Sequence, residues 1–270
     1  MGTRRWKLIS LQFIFLLFQL ASTQLLGQEA RLLFRGIDHI SLSRQGNLIA
    51  ATEKGDVLML DSSGKVLLNF SPRKPVRIHL LEAWNGLRIF AFNRDFQNYF
   101  LLDRFLLSDG PVTLDRDRVY ASLLAPSQDG NLWLLDEAGF ELKKMEIATG
   151  RIVFTTSLDL VLPGKKNYDF RFMREYQNQL FLADHNGAVL VFDLNGTFRK
   201  TLPLNNCDWF GFDDDELMCM QEGALVYYHL LKHSLRKEVL PEPFAQASEV
   251  LYSGNRLYGL VKGNLYDQER

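Results

Sequence analysis

The sequence predicts an all-β fold made of repeated four-stranded units, on three observations. Short apolar runs rich in Leu, Val and Phe recur along the 270 residues, and the chain carries 20 Phe, 9 Tyr and 4 Trp, residue types that favour half-buried pleated surfaces over helices. Between the runs stand Gly-bearing turns such as Lys54-Gly55, Asn186-Gly187, Glu222-Gly223 and Lys262-Gly263, which suit tight hairpins because glycine accepts a positive φ without a steric penalty. The third observation is that one pattern (strand, turn, strand, turn, strand) returns at a near-constant spacing. A hydrophobic content of 47% is enough for a sizeable core, so the composition is that of a globular protein rather than a disordered or fibrous one.

The first copy of the pattern is NLIAATEKGDVLMLDSSGKVLLNF (47–70); NLWLLDEAGFELKKMEIATGRIVF (131–154) and QLFLADHNGAVLVFDLNGTFRKTL (179–202) repeat it. More diverged copies are ELMCMQEGALVYYHLLKHSLRKEVL (216–240) and a shortened RLYGLVKGNLYDQER (256–270). The first-turn glycines Gly55, Gly139, Gly187, Gly223 and Gly263 lie 84, 48, 36 and 40 residues apart. The gap of 84 holds one more copy, GLRIFAFNRDFQNYFLLDRFLL (86–107), whose turn Arg94-Asp95-Phe96-Gln97 has no glycine. Six units of about 41 residues with four strands each are the signature of a six-bladed β-propeller, in which every antiparallel blade buries its faces against two neighbours. The last unit reaches Arg270 after its third strand, which would leave a costly unpaired edge. The spare strand RLLFR (31–35) is predicted to complete that blade and close the ring.

Acids and bases nearly cancel, 32 against 31, for a formal net charge of −1. A nucleic-acid binder or a polybasic membrane-surface protein would carry a basic excess, so both classes are disfavoured. The N-terminus has the form of a targeting segment. Arg4, Arg5 and Lys7 precede the apolar run Leu8–Ala21, which is too short to cross a bilayer core of about 30 Å comfortably. Ala21 and Thr23 supply the small residues for a cut before Gln24. The expected organisation is a signal peptide over 1–23 and a single propeller domain over 24–270, without a transmembrane span in the mature chain and in an oxidising compartment outside the cytoplasm. No Cys stands near the cut for lipid attachment.

Residues that carry chemistry elsewhere are sparse. Cys207 and Cys219 are either a cross-hairpin disulfide, if a turn centred near Asp213 sets them face to face, or two buried thiols acting as small apolar residues. His229 and His233 in HLLKH lack the Glu of a metalloprotease helix. The run Asp213-Asp214-Asp215-Glu216 has neither the alternation nor the Gly of a calcium loop and is expected to be a solvated hairpin tip. Ser62-Ser63-Gly64-Lys65 matches a Ser-x-x-Lys nucleophile formally but falls at a repeat turn. Asn195-Gly196-Thr197 is a glycosylation sequon by pattern, relevant only in a eukaryotic secretory pathway. No catalytic set, metal site or cofactor motif is expected. An axial ligand site would need polar residues at equivalent positions in successive units, and the copies place mainly Leu, Ile, Phe and Ala there.

The units resemble those of the WD40-like, NHL-like and PQQ-like propellers over about residues 31–270. No unit ends in the Trp-Asp pair of true WD40 repeats, and Ala148-Thr149-Gly150-Arg151-Ile152-Val153-Phe154 resembles the end of a PQQ-type repeat. The enzymatic members gain no support from these motifs. The resemblance instead implies a secreted, non-enzymatic propeller of a bacterial envelope, periplasmic or cell-surface associated, acting as a scaffold or accessory subunit for another envelope or extracellular protein, with an outer-membrane secretion or transport assembly as one setting. A ligand-binding or enzymatic propeller using the axial channel is the alternative. Contact residues are sought where a unit departs from its siblings, because aromatic and Arg side chains dominate interface hot spots. The connection 71–86 and the turn 92–100 offer Arg73, Lys74, Arg77, Trp84, Arg94, Asp95, Phe96 and Tyr99. The long connection 160–179 offers Lys165, Lys166, Tyr168 and Arg171.

Overall fold

The computed structural model describes residues 29–43, 45–83, 88–162, 164 and 167–269. The expected signal peptide and the candidates Trp84, Lys165 and Lys166 lie outside the described residues. No helix among the described residues is long and apolar enough to cross a membrane.

After β1 (Arg31–Arg35) the chain forms six four-stranded antiparallel sheets in sequence order. Blade 1 is β2 (Ile37–Leu42), β3 (Leu48–Thr52), β4 (Val57–Leu60) and β5 (Val66–Phe70); blade 2 is β6 (Leu80–Glu82), β7 (Ile89–Asn93), β8 (Asn98–Leu102) and β9 (Pro111–Thr113). Blade 3 is β10 (Leu123–Pro126), β11 (Asn131–Asp136), β12 (Glu141–Glu146) and β13 (Ile152–Ser157), followed by the single-turn helix α1 (Leu158–Val161). Blade 4 is β14 (Phe170–Tyr176), β15 (Gln179–Asp184), β16 (Val189–Asp193) and β17 (Phe198–Leu202). Blade 5 is β18 (Phe210–Asp213), β19 (Glu216–Gln221), β20 (Ala224–His229) and β21 (Leu235–Val239); blade 6 is β22 (Glu249–Ser253), β23 (Arg256–Val261) and β24 (Asn264–Glu269), joined on its outer side by β1.

The first strand of each blade is innermost. β2 touches β6 and β22, β6 touches β10, and β10 touches β14. Middle strands are covered on both faces by the flanking blades, so β4 (VLML) and β7 (IFAFN) are buried throughout, whereas the outer β5 and β21 are largely exposed. This explains why the repeats read as near-continuous apolar runs rather than strict alternation. Each fully covered Leu or Phe contributes about 1.5–3 kcal/mol relative to exposure. At the Glu222-Gly223 and Lys262-Gly263 turns all four residues have positive φ, as a two-residue hairpin joining right-twisted strands requires.

One sequence expectation is corrected. The connections 71–86 and 160–179 are not loops throughout: they contain the inner strands β6 and β14. β6 is three residues long, too short for a pattern to register, and β14 carries three charged residues, Arg171, Arg174 and Glu175, among its apolar ones. Of the two readings left open for the cysteines, the structure has the buried thiols. The blade 5 hairpin pairs Asp213 with Glu216, so its centre lies beyond residue 213 and Cys219 faces Phe210, while Cys207 precedes the strand. Both are fully buried free thiols. The Cys207 thiol donates to the Trp209 carbonyl at 3.4 Å, and its neighbour Cys219 and its burial push its pKa well up.

Ring closure is as expected. β1 pairs with β24 from Arg31↔Asp267 to Arg35↔Asn264, with a bulge at Leu33. Arg31 donates to both oxygens of Asp267, at 3.0 and 2.9 Å, and Arg256 donates to the same buried carboxylate. Both guanidiniums also donate to the Ser62 carbonyl in blade 1, each at 3.1 Å. Leu33 packs against Gly64, where an added Cβ would meet its Cδ2 at 3.0 Å. The same strand therefore completes blade 6 and fastens it to blade 1. On the inner side Glu249 accepts from the Ile40 amide at 2.7 Å and meets His39 Nδ1 at 2.6 Å.

Deleting residues 30–36 is expected to abolish cooperative unfolding; an unchanged melting transition would refute the role given to β1. Asp267→Ala leaves two guanidiniums facing each other and is expected to lower stability by about 2–3 kcal/mol, read as a lower urea midpoint at unchanged slope. Arg31→Ala, at a half-exposed position, should cost about 1 kcal/mol or less.

Candidate interaction face

The registers define the two ends of the ring. Each inner strand begins where its neighbour ends, as in Ile37↔Thr52, Leu80↔Phe92 and Phe170↔Asp184. The connections between blades and the turns joining second and third strands therefore share one end, here called the top face. Arg73, Lys74 and Arg77 lie on the connection into β6, Arg94, Asp95 and Phe96 on the turn between β7 and β8, and Tyr168 and Arg171 at the start of β14. Candidates drawn from three separate segments thus share one face.

Tyr99 is the exception and is corrected. Its side chain is fully buried, stacked on Phe90 with centroids 5.0 Å apart, and burial raises its pKa. It follows Asn98 on β8, and the alternation of a strand turns it into the packing between blades.

The blade 2 turn is rigidly held without glycine. Asn93 is fully buried; its Oδ1 accepts the Phe96 amide at 2.6 Å and its Nδ2 donates to the Arg77 carbonyl. Gln97, also fully buried and at φ 52°, donates to the Arg94 and Ala121 carbonyls at 2.7 and 2.9 Å and accepts from the Ala121 amide at 2.8 Å. These two side chains clip the turn to the connections before and after blade 2. The Arg94 amide donates to His79 Nδ1 at 3.2 Å, and His79 Nε2 lies 3.6 Å from Asp95. Burial lowers the His79 pKa, in keeping with a neutral ring whose Nδ1 accepts. Locked in this way, the turn presents Phe96 at 55% exposure, and the adjoining connection presents Tyr120 at 51%.

The blade 4 side of the face is built differently. Tyr168 stacks on Phe170 and meets Phe140 at a tilt, with centroids 5.3 and 5.6 Å away, so it is a half-buried platform rather than a free contact. Arg171 pairs with Asp169 at 2.6 Å, and Asp169 is held by its amide to Asp184 at 2.9 Å. Glu137, on the blade 3 turn, lies within electrostatic reach of Arg94 and Arg171.

The inner strands carry charges that sequence reading missed. Arg174 on β14 donates to Glu82 on β6 at 2.6 Å and to the Phe210 carbonyl at 3.2 Å, and its guanidinium lies over the Phe172 and Trp209 rings. Both ionic groups are almost fully buried. Glu175 accepts from Ser127, Trp133 Nε1 and the Gln128 amide at 2.5, 2.6 and 3.0 Å. The signal was a charge inside an apolar inner strand, LLE, FRFMREY and EVLYS, hidden because these strands fell in segments read as connections. At the top mouth His39 feels burial, which lowers its pKa, yet the Glu249 carboxylate outweighs it and the net shift is upward.

The remaining sequence candidates are structural. The acidic run is a hairpin tip: the Asp214 carbonyl accepts the Tyr176 hydroxyl at 2.9 Å, and Asp215 accepts from Gln177 at 3.2 Å. His229 Nδ1 accepts the Leu231 and Lys232 amides, and His233 lies 3.0 Å from the Tyr228 hydroxyl. At 61–65, Asp61 gathers the Ser63 and Lys65 amides into a turn. Among the described residues no three His, Cys, Asp or Glu side chains are arranged to hold a metal ion.

No protein-family model matches the chain, and no curated protein matches it. Solved structures do. The chain is similar to a streptogramin B lyase at 14% identity and a TM-score of 0.63, over 90% of this chain and 87% of that one. It is similar to a virginiamycin B lyase from Staphylococcus aureus at 14% identity and 0.60, over 87% and 82%. It is also similar to the β-propeller domain of Cps50 (Swd1) from Myceliophteria thermophila at 14% identity and 0.59, over 87% and 84%. Likeness at such identity is one of fold, and with the six four-stranded sheets it shows that the chain has the six-bladed β-propeller fold.

Proposed function

We propose that the protein is a non-enzymatic, secreted scaffold that binds another protein through the top face of blades 2–4. The observation that carries this reading is the preorganised turn of blade 2. Asn93 and Gln97 are spent entirely on holding the backbone, while Arg94 and Phe96 point outward. A partner that docks there loses little to loop ordering, which is where much binding free energy otherwise goes. Arg77 and Arg171 extend the contact on either side. The setting is the periplasm or the cell surface, where the protein acts as an accessory subunit of an envelope complex such as an outer-membrane secretion or transport assembly. The buried Arg174–Glu82 pair supports a non-enzymatic reading, because charge at the axis is satisfied internally.

A second reading, a ligand or catalytic site in the axial channel, draws on one observation: His39 on the inner strand β2 is partly exposed and has Glu249 at 2.6 Å, the arrangement of an oriented base. A thermal-shift screen against metals, sugars and quinone cofactors tests it; stabilisation by mass action that His39→Ala removes would favour it, and no shift at millimolar ligand would end it.

For the scaffold, affinity capture from envelope extract is expected to recover a stoichiometric partner with the wild type. Arg94→Ala with Phe96→Ala should weaken recovery by roughly tenfold or more, since hot-spot truncations cost about 2 kcal/mol each. Phe105→Ser with Leu107→Ser, exposed at the opposite end of blade 2, should leave it unchanged. Recovery of the protein alone, or full recovery by the double variant, would sink the proposal.

A further inference from the structure

We infer that the partner docks through an acidic, extended segment bearing an apolar anchor, laid across the top of blades 2 and 3 between the 94–97 turn and the 115–120 turn. This rests on the scaffold reading and adds the chemistry of the partner. The first observation is local charge. Segments 71–79, 94–97 and 114–122 hold six cations, Arg73, Lys74, Arg77, Arg94, Arg116 and Arg118, against three carboxylates, in a chain with 31 basic and 32 acidic residues overall, and Glu137 of the blade 3 turn lies within electrostatic reach of Arg94.

The second observation is how those charges are used. Arg118 pairs with Asp115 at 3.1 Å and Arg77 with Asp38 at 3.5 Å. Among the described residues Arg73, Lys74, Arg94 and Arg116 have no carboxylate within ion-pair distance. The Arg116 guanidinium instead lies on the turn, donating to the Asp95 carbonyl at 3.4 Å. The third observation is geometric. Phe96 and Tyr120 both stand half exposed beside the residues that the Gln97 side chain clips together, so two aromatic anchors are fixed on one patch.

Uncommitted guanidiniums around fixed aromatic rings match carboxylates spaced by apolar side chains, because Arg forks bind carboxylates bidentately while aromatic faces bury the residues between. A nucleic-acid strand fits less well. Asp95, Asp115 and Asp117 are interspersed with the cations, and a continuous phosphate line would be forced against them.

The experiment is fluorescence anisotropy on the intact protein with a labelled peptide of about twelve residues, containing four Glu around a central Phe-Leu pair. Its Lys-for-Glu counterpart and a single-stranded oligonucleotide of equal charge serve as competitors. Micromolar binding of the acidic peptide is expected, weakened roughly tenfold by Arg94→Glu with Arg116→Glu and by raising salt from about 50 to about 300 mM. Arg104→Glu with Arg151→Glu, on the opposite end, should change nothing. Arg94→Gln with Arg116→Gln, at the same exposed sites, should give an intermediate loss with an unaltered melting curve. Equal binding of the basic peptide, displacement by the oligonucleotide at lower concentration, or an affinity within twofold of wild type in the charge-reversed protein would overturn the inference. Retention of a captured partner by the charge-reversed protein, with its loss in the Arg94→Ala, Phe96→Ala variant, would overturn the acidic segment and leave the scaffold standing. Peptide binding as expected, with no partner captured, would uphold the chemistry and remove the scaffold.

Discussion

Everything in this molecule depends on the hydrogen-bonded seam between β1 and β24. A propeller blade cannot cover its own two faces, and each depends on the neighbours that flank it. A ring with one incomplete blade would expose a sheet edge and let the neighbours on both sides of the gap splay. The chain avoids this by returning its first strand to its last, and it fastens the seam at three depths. The outer level is the ladder itself, the middle one the Asp267 carboxylate shared by Arg31 and Arg256, and the inner one Glu249 holding His39 and Ile40 of blade 1. Because Arg31 and Arg256 also reach Ser62 in blade 1, the seam is linked to the adjoining blade as well as to its own.

The other blade interfaces follow one logic with different chemistry. Apolar side chains supply most of the contact, and a buried polar group sets the register between neighbours. Ser41 accepts the Ala83 amide between blades 1 and 2, Gln97 clips blade 2 to the connection into blade 3, Glu175 gathers three donors from blade 3, and Tyr176 reaches the Asp214 carbonyl of blade 5. Each such group is satisfied, and one left buried without a partner would cost about 1–3 kcal/mol. The Arg174–Glu82 pair differs in reach. It links blades 2 and 4 and touches blade 5, which ties several blades at the axis rather than two at an interface. Its net worth over a hydrophobic pair is small by the usual balance of desolvation against attraction, and its contribution is to the uniqueness of the ring.

Function follows from what this rigidity leaves exposed. Blade 2 breaks the glycine turn of its siblings, yet its turn is no looser, because Asn93 and Gln97 do with side-chain amides what glycine does elsewhere with backbone freedom. The substitution frees the turn to carry Arg94 and Phe96. A repeat protein with equivalent blades offers no preferred docking point; in the function proposed above, the one blade that departs from the rest supplies it.

The sequence by itself determined the repeat and its consequences. The spacing of Gly55, Gly139, Gly187, Gly223 and Gly263, the glycine-free copy between the first two, and the spare RLLFR strand led to six blades and the closed ring, because turn chemistry and apolar runs are local properties of the chain. The departures at 71–86 and 92–100 were legible for the same reason. What only the tertiary structure decided was who faces whom. A strand's alternation does not say whether its far side meets solvent or a neighbouring blade, so Tyr99 read as surface and is core. Inner strands as short as LLE carry too little pattern to register, so the axial charges stayed hidden, and the partner of Arg174 stands 92 positions away at Glu82. The cysteine register turned on where a hairpin tip falls, between residues 214 and 215 rather than at 213, and the Arg and aromatic side chains of three segments became one face only when the ring brought those segments to the same end.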